Sequence, residues 1–186
     1  ILSGLSGTGK SQLVQCYAKA LGLVDDGFHM IPVRPNWNDD SDLIGFVDSM
    51  HMVYRPSDAG FINILMEACQ ERNKNKLYII CFDEMNLARV EHYFSQFLSI
   101  LEMPEKSRIL RLYSSEYESR LYNSDKYKPI VEIGNNIRFI GTVNIDESTF
   151  HFSDKVLDRA NVIKLDIIPY TEWIIGEVTT KGSLFK

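Results

Sequence analysis

Two groups of residues in this chain carry chemistry by type and spacing. Near the N-terminus, Gly4-Leu5-Ser6-Gly7-Thr8-Gly9-Lys10-Ser11 fits G-x-x-x-x-G-K-[ST] at every fixed position. In such a loop, Gly4 and Gly9 are expected at backbone angles that a side chain would forbid, so that successive N–H groups point at phosphate oxygens. Lys10 is expected to reach the β and γ phosphates of a nucleoside triphosphate, and the Ser11 hydroxyl to bind Mg²⁺. The phosphate-binding set is then Gly4, Leu5, Ser6, Gly7, Thr8, Gly9, Lys10, Ser11 and Gln12. The second group ends a continuous apolar run, Leu77-Tyr78-Ile79-Ile80-Cys81-Phe82, with Asp83-Glu84. Asp83 suits the Mg²⁺ shell beside Ser11, and Glu84 suits activation of the water that attacks the γ phosphate.

These residues need elements to hold them. Ile1-Leu2 reads as the end of a buried strand, and Ser11 to about Leu21 as a helix whose apolar residues are Leu13, Cys16, Tyr17, Ala20 and Leu21. Its positive N-terminus would face the phosphates. The run before Asp83 has the composition of a strand buried on both faces of a parallel sheet. A carboxylate at the end of such a strand lies where α/β sheets bind ligands.

Further strands are expected at Phe28–Val33, Ile137–Asn144 and Asn161–Leu165. Asp42–Phe46 leads into a loop through Pro56. Phe61, Ile64, Leu65, Ala68 and Cys69 mark a helix ending near Arg72. Val90, Tyr93, Phe94, Phe97, Leu98 and Leu101 mark a single helix closed by Pro104. Arg108–Tyr113 and Pro129–Ile133 read as a hairpin with a long polar tip. Phe152 to Arg159 reads as a short helix with Ser153 as N-cap. Five strands alternating with helices make a parallel α/β sheet.

The formal net charge is −5 and no window is densely basic, so a large nucleic-acid surface is not visible in this segment. Cys16, Cys69 and Cys81 fall in apolar settings without metal spacing and read as core thiols in a reducing compartment. His29, His51, His92 and His151 are dispersed. No signal peptide or membrane-spanning run is visible, which points to the cytoplasm. With little strand before the loop and no closing element after residue 180, the chain reads as a fragment of a longer protein.

The chain resembles the AAA+ NTPases, and within them the McrB family of modified-DNA restriction motors. The resemblance rests on the phosphate loop, on Asp83-Glu84-Met85-Asn86-Leu87-Ala88-Arg89 with Glu91, and on Gly141-Thr142-Val143-Asn144-Ile145-Asp146-Glu147-Ser148. The run Ser153 to Asp158-Arg159 completes it, and Trp37 to Gly45 and the insertion near 46–58 look like the same branch, which includes the MoxR-type ATPases. Val143 and Glu147 stand where the McrB signature has Met and Asp.

The resemblance implies a sheet of order 5-1-4-3-2 with a β-hairpin insertion before the fourth strand. It implies a nucleotide-binding core over 1–168, and the start of a lid or linker over 169–186. It implies Mg²⁺-dependent hydrolysis of ATP, or of GTP, in a hexameric homo-oligomeric ring. A McrC-like nuclease would be the partner, DNA would be contacted through the full assembly, and no membrane is involved. A MoxR-type chaperone ATPase without DNA is the alternative. Asn144, at a strand end beside Asp83-Glu84, is expected to hydrogen-bond the γ phosphate or the attacking water, as the polar sensor does. Arg159 is expected to reach the neighbouring subunit's nucleotide, unless it pairs with Asp158 or Asp154; Arg138 and Arg89 are its rivals. Asn86 is expected to orient Glu84 or the subunit interface, or to cap a helix.

Overall fold

Residues Tyr78–Asp83 form a strand whose first five side chains are buried, as a strand covered on both faces requires. The computed structural model describes residues 1–145 and 149–166. Asp146-Glu147-Ser148 of the second signature, and the 169–186 segment expected to begin a lid or linker, lie outside the described residues.

The first strand, β1 (Leu2–Gly4), runs through the glycine loop into α1 (Lys10–Ala20). Then come β2 (Phe28–Pro32), α2 (Ser41–Ile44), the β3–β4 hairpin (Gly45–Asp48 and Val53–Pro56) and α3 (Phe61–Ala68). The buried strand is β5 (Tyr78–Asp83). It is followed by α4 (Val90–Tyr93), α5 (Ser95–Ile100), and the β6–β7 hairpin (Ile109–Arg111 and Ile130–Glu132). The described chain closes with β8 (Ile137–Asn144), α6 (Asp154–Leu157) and β9 (Ile163–Leu165).

Five strands form one parallel sheet in the order β2-β5-β8-β1-β9. Counted along this sheet alone, that is the expected order 5-1-4-3-2. The expected hairpin before the fourth strand is also present, with Leu110 opposite Val131. Parallel pairing brings the carboxyl ends of β1, β5 and β8 side by side, with Gly4 in register with Asn144 and Phe82 with Gly141.

Behind β5 and β8 sits an aromatic core. Phe61, Phe82, Phe94, Phe97 and Phe139 pack with neighbouring ring centroids as close as 4.9 Å for Phe94 and Phe97. Burying each ring stabilises the fold by about 1.5–3 kcal/mol. The buried Tyr93 hydroxyl donates to the Met85 carbonyl at 2.9 Å, which ties α4 to the turn after β5.

Five local expectations are corrected. The helix over 90–101 is two helices, broken at Phe94 (φ −107°, ψ 14°). Tyr93 and Phe94 are both buried, yet consecutive helical residues point about 100° apart, so turning both rings inward bends the chain there. In α1 the buried stripe is Lys10, Val14 and Ala18, while Leu13, Tyr17 and Leu21 are exposed. Leu13 and Tyr17 line an open apolar groove of about 380 Å³ with Ile140 and Ile163, beside the three-residue strands β1 and β9. Cys16 is likewise exposed rather than a core thiol, whereas Cys81 is buried and its thiol is pushed up to about 12 by that burial.

The loop expected through residues 46–56 is instead the β3–β4 hairpin. The Asp48 carboxylate organises its turn, accepting from the N–H groups of Met50 (3.1 Å) and His51 (3.0 Å) and from Arg55 Nε (2.7 Å). The Arg55 bond holds the Asp48 carboxyl well below the usual carboxylate range. Asn123, from the long tip of the other hairpin, then pins β4. Its side chain accepts from Tyr54 N–H at 2.9 Å and donates to the Tyr54 carbonyl at 2.8 Å, as a neighbouring strand would. Finally, Ser153 makes no side-chain cap on α6; its backbone N–H instead donates to Glu91 Oε1 at 3.0 Å.

Candidate nucleotide site

The glycine loop joins β1 to α1. Gly7 and Gly9 have φ of +78° and +79°, the left-handed region that glycine enters without penalty, and Gly9 is the N-cap of α1. Gly4 is needed for a different reason from the one expected. Its φ is not positive; a Cβ there would stand 2.7 Å from the Leu165 carbonyl oxygen on β9. The loop therefore starts where two strands approach too closely for a side chain. The N–H of Ile145 donates to the Gly4 carbonyl at 3.1 Å, fixing the loop's base to the end of β8.

Lys10 is buried beneath the loop. Its ammonium donates to the carbonyls of Gly4 (3.1 Å) and Leu5 (2.7 Å) and to Thr8 Oγ1 (3.3 Å). All three acceptors belong to the loop itself, so an ammonium with three donors is satisfied there without any carboxylate. Leu5, Ser6, Gly7 and Gly9 are exposed at the loop's outer side. Gln12 is exposed too, but its side-chain amide is turned to Cys16 Sγ at 3.6 Å.

Ser11 and Asp83 meet. Ser11 Oγ donates to Asp83 Oδ1 at 2.5 Å, and Thr142 Oγ1 donates to the same oxygen at 2.6 Å. Glu84 follows with φ 53° and ψ 49°, a left-handed conformation that costs a side-chain-bearing residue about 1–2 kcal/mol. Its N–H is accepted by Thr142 Oγ1 at 2.9 Å, and its Oε1 accepts from Asn144 Nδ2 at 3.1 Å. Lys10, Ser11, Asp83, Glu84 and Asn144 thus converge on the carboxyl ends of β1, β5 and β8.

Asn86 is buried and turned toward β8. Its Nδ2 donates to the carbonyls of Asn144 (2.7 Å) and Phe150 (3.3 Å), and its backbone carbonyl accepts from Phe150 N–H at 3.0 Å. It acts on the backbone that carries Asn144; no hydrogen bond joins its side chain to Glu84.

Arg159 stands apart from this cluster. Its Nε donates to Glu102 Oε1 at 2.7 Å and its Nη1 to the Lys155 carbonyl at 2.7 Å. The carboxylate beside it is Glu102, just past α5, and not Asp158 or Asp154. Of its rivals, Arg138 bonds the Asn135 carbonyl at the opposite end of β8, and Arg89 lies over the Phe150 ring at 5.3 Å.

Thr142 is the contributor that motif reading missed. It stood inside the Gly141–Ser148 signature without a role, because a threonine in a strand reads as a strand former. Its signal lies in the pairing of β5 with β8, which sets residue 142 beside residue 83.

Chemically, the cluster combines a pocket of backbone amides, a movable cation, a hydroxyl–carboxylate oxygen pair and a carboxylate aimed by an amide. That is the equipment of phosphoryl transfer to water. Among the described residues, no helix is long and apolar enough to cross a membrane.

Comparison with known proteins bears on the fold and the family. A comparison with curated proteins gives no match. Among solved structures, the chain is similar to one from Cytophaga hutchinsonii ATCC 33406 described as a "putative ATPase". The TM-score is 0.52 at 18% identity, with all of this chain aligned and 46% of that one, so this chain spans about half of that protein's length and the likeness is one of fold. A family model described as "AAA domain (dynein-related subfamily)" matches residues 1–160. Sheet order, phosphate loop and family match converge, and this chain belongs to the dynein-related subfamily of AAA domains, a family of nucleotide-binding ATPases.

Proposed function

We propose that the chain is the nucleotide-hydrolysing motor domain of a McrB-like subunit in a modification-dependent DNA restriction system. In this reading it works in the cytoplasm as a homo-oligomeric, hexameric ring with a McrC-like nuclease partner. The observation that carries the hydrolytic part is the meeting of Lys10, the Ser11–Asp83 pair and the Glu84–Asn144 pair at three neighbouring strand ends. The quoted run from Asp83 to Arg89 and the Asn144 signature support the McrB-like part.

The geometry supports the following roles. Loop N–H groups from Leu5 through Gln12 receive phosphate oxygens. Lys10 exchanges its loop carbonyls for the β and γ phosphates, stronger acceptors for an ammonium. Ser11 Oγ and Asp83 Oδ1 are hard oxygen donors, a set that fits Mg²⁺, which tolerates few protein ligands and keeps waters and phosphates. Mg²⁺ bound there supplies charge neutralisation at the phosphates. Glu84 takes a proton from the attacking water, and Asn144 orients the carboxylate and the water. Arg159 serves the next subunit's site after leaving Glu102. ATP is the family's usual nucleotide, with GTP the other candidate.

A second reading, a MoxR-type chaperone ATPase, draws support from the net charge of −5 and the absence of a basic run. Hydrolysis of ATP and of GTP by the whole protein, with and without methylated DNA, separates them. DNA-stimulated turnover supports the restriction motor. Turnover indifferent to DNA supports the chaperone reading. A protein that hydrolyses neither nucleotide overturns both.

A further inference from the structure

The ladder between β5 and β8 ends at Phe82 and Gly141. Asp83 is the last residue of β5, still paired with Pro32 on β2, and the chain leaves the sheet at Glu84. The backbone N–H of Glu84 has no strand to donate to; it finds a side chain, Thr142 Oγ1, at 2.9 Å. We propose that Thr142 is a positioning residue for hydrolysis, locking the Asp83 carboxylate toward Ser11 and holding Glu84 in the left-handed turn that aims its carboxylate at Asn144.

The direction of both bonds is dictated by chemistry. A hydroxyl has one proton. The carboxylate of Asp83 accepts, so the proton lies on the 2.6 Å bond to Oδ1. The hydroxyl lone pairs are left for the Glu84 N–H, which only donates. Each bond polarises the hydroxyl in favour of the other. Thr142 is 1% exposed, so water does not compete for either position.

The turn itself has a second support. A Cβ on Gly141 would stand 2.4 Å from Met85 Sδ, so the missing side chain makes room for the Met85 side chain to pack against β8 just after Glu84. Gly141 seats Met85 and Thr142 holds the turn. The consequence is a single hydroxyl that couples the residue facing the metal position to the residue facing the water. This assignment rests on the reading of Glu84 as the group that activates water.

The test compares wild type, Thr142→Val and Thr142→Ser in the whole protein. Turnover of ATP and GTP is followed against nucleotide and against Mg²⁺, with metal-free nucleotide binding and the thermal midpoint recorded in parallel. Valine keeps the shape of threonine without its hydroxyl. It is expected to lower kcat about 10–100-fold and to raise the half-saturating Mg²⁺ several-fold, because the two carboxylates lose their fixed relation. Metal-free nucleotide affinity is expected to stay within about threefold, and serine to bring kcat back within about threefold of wild type. A merely structural threonine would lower the thermal midpoint without this split between kcat and affinity. Turnover by Thr142→Val within about threefold of wild type, or a serine variant as slow as the valine one, overturns the proposal. If Thr142→Val does not fold, Thr142→Ala is held to the same split. A wild-type protein without turnover overturns the reading of Glu84 and this proposal together; an active wild type with an unaffected valine variant overturns this proposal alone.

Discussion

Asn86 and Asn144 grip each other in both directions. Asn86 Nδ2 donates to the Asn144 carbonyl at 2.7 Å, and the Asn144 N–H donates back to Asn86 Oδ1 at 3.3 Å. The turn after β5 is thereby stitched to the end of β8, and the Asn144 side chain is left to face Glu84. Replacing Asn86 with Ala removes the partner of the Asn144 N–H and leaves the Asn144 carbonyl with the Thr149 hydroxyl alone. The expected cost is about 1–3 kcal/mol in denaturant unfolding, with slower turnover. Asn86→Asp, which sets a buried carboxylate oxygen against the Asn144 and Phe150 carbonyls, should cost at least as much. An unfolding midpoint unchanged in both variants would show that the pair does not hold the strand end.

Lys10→Ala removes the cation that sits on the Gly4 and Leu5 carbonyls. Triphosphate binding should weaken about 100-fold, the equivalent of roughly 3 kcal/mol in lost charge-assisted hydrogen bonds. Titration with a fluorescent nucleotide measures it, and wild-type affinity in the variant would remove this loop from consideration as the site.

Glu84→Gln should separate binding from chemistry. The amide oxygen still accepts from Asn144 Nδ2, so the local geometry survives, but the group is no longer a base. Turnover is expected to fall about 10²–10⁴-fold with nucleotide affinity little changed. Single-turnover kinetics beside equilibrium binding provide the check. Residual turnover near wild type would mean that another group activates the water.

Arg159 gives a prediction about assembly. Its partner Glu102 is half exposed, so the ion pair contributes little to stability, about 0–1 kcal/mol. Glu102→Gln should therefore leave the unfolding midpoint nearly unchanged while freeing Arg159 and raising turnover. Arg159→Ala should bind nucleotide normally and hydrolyse slowly. Mixed with Glu84→Gln subunits it should regain activity, since some interfaces then join an intact Glu84 to an intact Arg159. Mixed rings that form but show no rescue would confine Arg159 to its own subunit.

The parts of this structure legible in the sequence were those in which one residue type answers one backbone or solvation demand. The glycine loop, the apolar run before Asp83 and the alternation of strands and helices led to a parallel α/β sheet, and the family resemblance to its strand order. What was not legible depended on partners distant in sequence. The apolar stripe of α1 was misplaced because spacing alone does not say which flank meets the sheet; Val14 and Ala18 do, while Leu13 and Tyr17 border the short strands. The β3–β4 hairpin was hidden because the Tyr54 backbone is paired by Asn123, which lies in another insertion. Gly4 was read for its flexibility, yet its requirement is the closeness of Leu165. Phe94 broke a periodic helix through the packing of two adjacent rings.

The placement of β1 has a consequence for the life of the chain. Among the described strands it stands first in sequence, yet its neighbours on both sides, β8 and β9, are the two that lie farthest from it along the chain. Contacts so far apart along a chain form slowly. On the ribosome, β2, β5 and β8 can assemble before β1 is secured between β8 and β9. The phosphate loop that β1 carries is then shaped late, and the growing chain gains its grip on nucleotide only once β8 and β9 have been made.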